Sequence, residues 1–303
     1  MDLGVPSKFW RELSERDRSR MRGSWKRTVA THYFTWTRTD GAPLLGFVRL
    51  VGPQYLWLLL HTSPGDWVRA LWGSWRKPAP EVGWFQSLEI NVLAKLAWCY
   101  ARRTDRDGLT VLTEPPAGDP FDIRVGGRWI SQDLANSIVE ARSMKEALRG
   151  QVPGEIIEIG AGYGRNAFVL LHCFPDAAYT VVDIEPALTL CRGYLTGLFP
   201  NRRLTFLSPG EVDSIPARSA GLFLNISSFG EMLPEQVTGY FQLADRVTAG
   251  VFYHKQWKVS KNLRDGVVLR RGDYPVHSRW AEVFNRTAKI QPLFFEAAYR
   301  IVP

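Results

Sequence analysis

The sequence has few of the residues that cross-link small domains or bind metals. It contains three cysteines and five histidines in 303 residues. Cys99, Cys173 and Cys191 have neither an even count nor the spacing of metal ligands, which argues against a disulfide framework and a zinc module. This cysteine usage is typical of a reducing compartment, so we expect a cytoplasmic location.

Long hydrophobic runs are also missing. The most apolar segment, "LVGPQYLWLLLHTSPG", carries Pro53 and His61 and is shorter than the ~20 residues that cross a bilayer. The first residues, "MDLGVPSKFWRELSERDRSRMRGSWKR", lack the apolar centre of a secretory signal. The sequence therefore predicts a protein without a membrane span.

Positive charge is in moderate excess, with a formal net charge of +8. The basic residues are scattered among acids, and the densest cluster, Arg16 to Arg27, also contains Asp17. Nucleic-acid-binding proteins usually concentrate their charge into a patch or stripe. We therefore do not favour a nucleic-acid partner.

Two regions of different character follow from composition. Apolar residues make up 45% of the chain, enough for a sizeable core. Residues 1–128 form a mainly helical, tryptophan-rich region, in which Leu88, Val92 and Leu96 show helical spacing. The segment 104–128 is rich in glycine, proline and aspartate, as linkers are. We place the second domain at 129–303 and assign the first to substrate selection, a lid or oligomerisation.

A helix opens the second domain. Ser131 is its predicted N-cap and Gly150 its stop. Five apolar residues at helical spacing predict its buried stripe: Leu134, Ile138, Ala141, Met144 and Leu148.

Alternating strands and helices begin at Glu155. The predicted strands are "EIIEI", "AYTVVD", "RLTFL", "GLFLNI" and "AGVFYH", with His254 ending the last. Such alternation predicts a parallel sheet covered on both faces, with ligands at the carboxyl ends of the strands. In the tail we expect strand, helix and strand, the helix containing "RWAEVF".

The stretch "EIIEIGAGYGRNAF" holds three glycines directly after the first strand. Gly160, Gly162 and Gly164 alternate, and Glu158 precedes them. Such a loop lets a ligand approach the backbone at a helix N-terminus. The dinucleotide fingerprint has the different spacing G-x-G-x-x-G, and a P-loop would need Gly-Lys-Ser/Thr. Asp183 ends the second strand, where a carboxylate can accept hydrogen bonds from ribose hydroxyls. NAD binding remains the alternative.

These residues resemble the first motif of class I S-adenosylmethionine-dependent methyltransferases. The resemblance implies a Rossmann-like sheet, mostly parallel with an antiparallel last strand, and S-adenosylmethionine as cofactor. It implies that Glu158, Gly160, Gly162 and Asp183 contact the cofactor. Further cofactor candidates by position are Ala161, Tyr163, Arg165, Ile184, Ser208, Asn225 and Ser131.

A narrower resemblance covers roughly residues 125–260. "EIGAGYGRNAF", "YTVVDIEPALTLCRGYL" and "LNISSFGEMLPEQVTGYF" are together similar to the sugar O-methyltransferase family of polysaccharide and natural-product pathways. The resemblance implies a sugar or oligosaccharide acceptor. Small-molecule methyltransferases often pair, so a homodimer is a further expectation.

Methyl transfer to a sugar hydroxyl needs positioning and a general base, because that hydroxyl is a weak acid. Two residues qualify by position: Glu231, after the fourth strand, and His254. A helix cap or a salt bridge is the plain alternative for Glu231, and a structural role is the alternative for His254. No clear magnesium site exists, although Glu231 with another carboxylate could form one.

Two other functions stay open. The positive charge suggests an RNA or DNA methyltransferase as one alternative. Enzymes that methylate base amines often carry an Asn/Asp-Pro-Pro-aromatic motif after the fourth strand, and the sequence there is "NISSFGEM", which counts against this alternative. A non-catalytic scaffold that binds S-adenosylmethionine is the other possibility.

Overall fold

The computed structural model describes residues 7–8, 10–12, 15, 44–72, 84–118 and 123–301. For residues 44–51 and 84–87 it describes the backbone only. The chain consists of two compact units, each with more contacts within itself than with the other. The sheet unit comprises Met1–Arg22, Arg142–Ala288 and Phe294–Pro303, and the helical unit comprises Gly23–Ala141 and Lys289–Leu293. The division therefore falls after Ala141, whereas the sequence suggested a boundary after residue 128.

Within its described part, the helical unit contains three complete α-helices, the beginning of a fourth and a two-stranded ribbon. The helices are α1 (Leu44–His61), α2 (Pro64–Leu71) and α3 (Trp84–Arg103), and the strands are β1 (Arg124–Val125) and β2 (Arg128–Trp129). Ser63 caps α2 in a capping box with Asp66, which satisfies backbone N–H groups of the first turn. The basic cluster between Arg16 and Arg27 lies outside the described residues. No described helix is both long and apolar enough to cross a bilayer.

Helix α4 (Gln132–Leu148) begins as the sequence predicts. The Ser131 hydroxyl accepts a hydrogen bond from the Leu134 N–H at 2.9 Å, as an N-cap does. All five residues of the predicted stripe are at most 3% exposed. Gly150, just beyond the helix, has a φ of +83°, which glycine adopts without strain.

The sheet unit contains one seven-stranded sheet, in the order β10-β11-β7-β6-β3-β4-β5. Its strands are β3 (Glu155–Ile159), β4 (Ala178–Val182), β5 (Leu204–Leu207), β6 (Ala220–Ile226), β7 (Thr248–Trp257), β10 (Ala281–Thr287) and β11 (Phe294–Arg300). Strands β3 to β7 pair in parallel, and β11 runs antiparallel to both of its neighbours. The predicted α/β sheet with an antiparallel last strand is confirmed.

Three helices connect the parallel strands: α5 (Arg165–Cys173), α6 (Ala187–Leu198) and α7 (Pro234–Val247). The strand order reverses at β3, since β4 pairs on one side of it and β6 on the other. A crevice forms at such a reversal, outside the carboxyl ends of the strands. The glycine loop follows β3 at this place.

Two predictions about the last third of the chain are wrong. The segment with "RWAEVF" forms strand β10 instead of a helix, and it pairs with β11 along six residue pairs. Strand β7 continues to Trp257, so it does not end at His254. A hairpin of β8 (Val259–Asn262) and β9 (Val267–Arg270) follows. Because β10 is an edge strand of mixed burial, its sequence carries no clear period of two.

An aromatic core lies between the sheet and α7. Phe223 and Phe252 meet edge to face at 5.5 Å, and Phe241 stacks on Trp280 at 5.9 Å. Both phenylalanines of the first pair are fully buried. This packing fixes β6 and β7 and thereby the loops at their carboxyl ends.

Candidate active site

The loop after β3 has the backbone conformation that its glycines predict. Gly160, Gly162 and Gly164 have φ values of +71°, +60° and +97°, in the left-handed region where side chains are rarely tolerated. A Cβ at Gly164 would lie 3.1 Å from the Cys191 sulfur and 3.1 Å from Leu195. Gly164 is therefore a close-packing position between α5 and α6.

Gly160 also makes room for a neighbouring loop. A Cβ there would overlap the Ser228 hydroxyl. The Asn225 side-chain amide donates to the Ile159 carbonyl at 2.8 Å and to the Ser228 hydroxyl. Asn225, fully buried at the end of β6, thus ties the loops after β3 and β6 together.

Asp183 joins the carboxyl end of β4 to the glycine loop. One oxygen accepts the Gly162 N–H at 2.9 Å and the other accepts the Ile184 N–H at 2.8 Å. Burial raises the pKa of Asp183 to about 7, more than these two hydrogen bonds lower it. A carboxylate has about four acceptor positions, so Asp183 keeps capacity for hydroxyl donors from a ligand.

Glu231 forms a second acidic group near Asp183. It ends the short 3₁₀ turn Phe229–Glu231 after β6, and its side chain is half-buried. Burial, followed by the charge of Asp183, raises the pKa of Glu231 to about 8. Its backbone carbonyl accepts hydrogen bonds from the Ser7 hydroxyl at 3.1 Å and the Asn262 amide at 3.2 Å. The turn is therefore held from two sides.

A small cavity of about 30 Å³ lies at the strand ends. Its lining comes from the glycine loop, the end of β4, the turn after β6, the start of α7 and the N-terminal residues: Ser7, Trp10, Ile159, Gly160, Val182, Asp183, Ile184, Pro209, Ser228, Met232, Gln236 and Tyr240. Ser7 is 2% exposed, so the N-terminal segment covers one side of this cavity.

Two further polar side chains at the strand ends escaped the sequence analysis. Ser227, directly after β6, has a φ of +66°, a conformation that costs a non-glycine residue free energy and recurs at functional sites. The Gln256 side-chain amide donates to the side-chain oxygen Oδ1 of Asn225 at 2.5 Å. Within the described part of the chain, the Ser227 hydroxyl and the Gln256 carbonyl oxygen are buried without a hydrogen-bond partner. Buried polar atoms of this kind are rare, and either bound water or a ligand group can supply the missing partner.

His254 lies in the aromatic core of the sheet unit. It is 1% exposed, and its ring lies 5.3 Å from Phe252 and 5.6 Å from Phe241. Its nitrogens have no hydrogen-bond partner among the described residues. Burial lowers its pKa to about 3, so the ring is neutral at physiological pH. It does not line the cavity.

Glu158 lies beneath the glycine loop, 1% exposed. The Tyr179 hydroxyl donates to it at 2.7 Å. Burial raises the pKa of Glu158 to about 7, against the lowering effect of the Tyr179 hydrogen bond. It does not line the cavity either, and in this arrangement it braces β3 against β4.

The other predicted contacts divide by position. Ala161 lies within the glycine loop. Ile184 directly follows Asp183 after β4, and it lines the cavity. Tyr163 is buried edge to face on Tyr194 at 5.4 Å. Arg165 is half-buried at the start of α5.

Two predicted serine contacts serve as caps. Ser208 forms a capping box with Glu211, and its neighbour Pro209 lines the cavity. Ser131, in the helical unit, donates to Glu114 at 2.5 Å besides capping α4.

The residues at this site fit a nucleoside that carries a positive charge. Two neighbouring carboxyl groups with raised pKa values, Asp183 and Glu231, are stabilised in their ionised forms by a nearby cation. The glycine loop supplies close backbone approach, and Asp183 supplies acceptors for hydroxyls. No group of three or more histidine, cysteine or acidic side chains suited to a metal occurs among the described residues.

Comparisons with known proteins concern the fold. No protein-family model matches the sequence, and no curated protein matches it. Solved structures that resemble the chain include the geranyl diphosphate C-methyltransferase from Streptomyces coelicolor A3(2), at 11% identity over 55% of this chain and 83% of that chain, with a TM-score of 0.42. Another is the 1,6-didemethyltoxoflavin-N1-methyltransferase from Burkholderia thailandensis, at 14% identity over 54% and 77%, with a TM-score of 0.43.

The strand order and the antiparallel β11 define the fold of the sheet unit. The chain has the Rossmann-like fold of class I S-adenosylmethionine-dependent methyltransferases.

Proposed function

We propose that the protein is an S-adenosylmethionine-dependent methyltransferase that methylates a hydroxyl group of a sugar, oligosaccharide or glycosylated natural product. One observation carries the cofactor part of this proposal. The loop contains three glycines in the left-handed conformation, and the Gly162 N–H donates to Asp183. Glu231 lies close to Asp183, because burial and then the charge of Asp183 raise the pKa of Glu231. The acceptor part rests on the resemblance of "GAGYGR" and "SSFGEM" to sugar O-methyltransferases.

Asp183 and the loop hold the cofactor in this proposal. The free acceptor positions of Asp183 take the ribose hydroxyls, while the left-handed backbone at Gly162 permits the nucleoside to lie against the loop. The cofactor, when bound, supplies an electrophilic methyl group on a positively charged sulfur. That positive charge lowers the pKa values of the nearby carboxyl groups and thereby favours their ionised forms.

Glu231 is our proposed general base. A carboxylate with a pKa near the working pH combines a useful fraction of the deprotonated form with enough basicity to take a proton from a hydroxyl. Glu231, with a pKa of about 8, meets this condition. His254 is the weaker candidate, because its pKa is about 3 and its ring lies in the aromatic core. Its predicted catalytic role is therefore not part of this mechanism.

Binding requires the N-terminal segment to move. Pockets for small-molecule ligands measure about 300–1,000 Å³, whereas the cavity with Ser7 and Trp10 in place is about 30 Å³. Among the described residues, polar contacts that must break for this movement include the Ser7 hydroxyl to the Glu231 carbonyl, the Lys8 N–H to Asp265 at 3.1 Å, and the ion pair of Glu12 with Arg264. We therefore assign the described residues of this segment, 7–8 and 10–12, the role of a cover over the cofactor.

The test is transfer of a labelled methyl group from S-adenosylmethionine to a panel of oligosaccharides, with a matched panel of RNA and of small amines. The proposal predicts label on glycans, retained after treatment that removes methyl esters. Label on RNA or amines alone would overturn the acceptor class. Cofactor binding without transfer to any acceptor would favour a scaffold.

A further inference from the structure

The helical unit contains a larger cavity than the one at the strand ends. It measures about 350 Å³ and is lined by residues of α2, the second half of α3 and β1. Its volume lies within the range of pockets that bind small molecules, about 300–1,000 Å³. Nothing in the proposed methyl transfer uses these residues.

The lining of this cavity is strongly cationic. Five basic side chains line it: Arg69, Lys95, Arg102, Arg103 and Arg124. Asp66 is its one acidic side chain. The formal charge of the lining is therefore +4, from five positive charges and one negative charge. Like charges concentrated around a concave surface favour an anionic ligand.

Asp66 has its acceptor capacity occupied by the protein itself. The Ser63 N–H and hydroxyl donate to it at 3.0 and 2.8 Å. Arg103 donates at 3.0 Å and Arg69 at 3.3 Å. Burial alone would raise the pKa of Asp66, but these partners outweigh burial and lower it to about 2. Asp66 therefore serves as the cap of α2 and orients two arginines, without neutralising the others.

Lys95 adds a buried cation to the cavity. It is 6% exposed, and its ammonium donates to the Trp72 carbonyl at 3.4 Å. Burial lowers the pKa of Lys95, and an anion beside the ammonium would offset that cost of desolvation. Arg102, on the same helix, is exposed and supplies a guanidinium, which matches phosphate oxygens in a bidentate geometry.

Tryptophan completes the site. Trp98 is 2% exposed, whereas Trp72 is 79% exposed at the cavity. An indole face offers a stacking surface for a ring or an apolar chain. A free inorganic ion would leave such a surface unused, while an organic phosphate would use both the cations and the indole.

We propose that this cavity of the helical unit binds the phosphate group of an organic phosphate, whose ring or apolar part packs on Trp72. The ligand's phosphate meets Lys95, Arg102 and Arg124. The phosphate group belongs either to a soluble small molecule or to a lipid headgroup, and these two sources have the same recognition chemistry. The proposal is independent of the methyltransferase reaction.

Calorimetric titration with phenyl phosphate, with phenol as the neutral comparison, tests the site. The wild-type chain should bind phenyl phosphate saturably and phenol at least tenfold more weakly. The double variant Arg102→Gln/Arg124→Gln should weaken phenyl phosphate binding at least tenfold. Arg106→Gln, an exposed arginine of the same unit outside the cavity, should change it less than twofold. Circular dichroism of each variant confirms that folding is intact.

A second experiment, with lipid vesicles, distinguishes a lipid headgroup from a soluble small molecule as the source of the phosphate group. Loss of sedimentation with phosphatidylglycerol vesicles in the double variant, but not in Arg106→Gln, would assign the phosphate to a lipid. Binding of phenyl phosphate without binding to those vesicles would assign it to a soluble ligand. Absence of saturable phenyl phosphate binding, or equal weakening by Arg106→Gln, would overturn the proposal, since the charge would then act without a site.

Discussion

At the scale of single residues, the candidate site depends on two carboxyl groups that the fold brings together from distant parts of the chain. Asp183 follows β4 and Glu231 follows β6, and both have raised pKa values. Interacting groups of this kind titrate as a pair, so an observed pKa belongs to both. The two residues still differ, because the side chain of Asp183 accepts hydrogen bonds from the Gly162 and Ile184 N–H groups, whereas Glu231 is held through its backbone carbonyl.

Asp183→Asn should weaken binding of S-adenosylhomocysteine by about tenfold or more, since a hydrogen bond to a charged group contributes about 1.5–3 kcal/mol. The amide also replaces one acceptor by a donor, which opposes the N–H of Gly162 or Ile184. Calorimetry measures the change. Asp176→Asn, an exposed aspartate of the same unit, is the control. Unchanged affinity in Asp183→Asn would remove Asp183 from the site.

Glu231→Gln should lower kcat by about a hundredfold, within the range for loss of a general base. In the wild type with cofactor bound, kcat/KM for the acceptor should rise with pH and level off no higher than about 8. The positive charge of the cofactor lowers the pKa of Glu231 from its value of about 8 in the free protein, and the observed value belongs to the pair with Asp183. The variant should lose this rise while cofactor affinity changes less than twofold. Glu235→Gln, exposed in the first turn of α7, is the matched control. A variant with the wild-type pH profile would refute the base assignment.

At the scale of elements, the N-terminal segment and the hairpin β8–β9 act on the same turn. Asn262 of the hairpin and Ser7 both donate to the Glu231 carbonyl, and Ser260 donates to the Gly230 carbonyl at 2.9 Å. Arg264 in the hairpin forms an ion pair with Glu12. The hairpin therefore links the cover to the turn that carries the proposed base.

Trp10→Ala should speed association of S-adenosylhomocysteine several-fold, because the indole lines a cavity of about 30 Å³ that must enlarge. Stopped-flow mixing measures the rate. Trp72→Ala, in the helical unit, should leave it unchanged. If Trp10→Ala slows association instead, the indole contributes to binding and is not a barrier.

The elements also show which features are readable from sequence. The glycine loop and α4 were predictable because local conformation dictates glycine at positive φ and serine at an N-cap. Strand β10 was mistaken for a helix because an edge strand needs no strict alternation. Gln256 was missed because the end of β7 is set by pairing with β11 through Trp257. Ser7 was missed because its partner Glu231 is 224 residues away.

At the scale of the whole molecule, several buried carboxyl groups connect stability with pH. Burial raises the pKa of Glu89 and Glu158 to about 7 and that of Glu114 to about 8. Each of these groups holds its proton more tightly in the folded chain than in the unfolded chain. The stability they confer is fully present below the unfolded pKa of about 4.3 and is lost as pH rises through 7 to 8.

The melting temperature should therefore fall between pH 5 and pH 8. Glu158→Gln should make this fall shallower, because Glu158 alone accounts for about 3 kcal/mol of the change, at about 1.4 kcal/mol per pKa unit. Calorimetric scans at fixed ionic strength give the slopes. A melting temperature that rises across this window would contradict the burial of these groups as protonated acids.

The central claim is that the loop at Gly160–Gly164 and Asp183 form a site for S-adenosylmethionine. Equilibrium titration of the full chain with S-adenosylhomocysteine, followed by competition with NAD, tests it most directly. The account predicts saturable binding of one S-adenosylhomocysteine per chain that NAD does not displace. Absence of binding, or displacement by NAD at similar concentration, would contradict it.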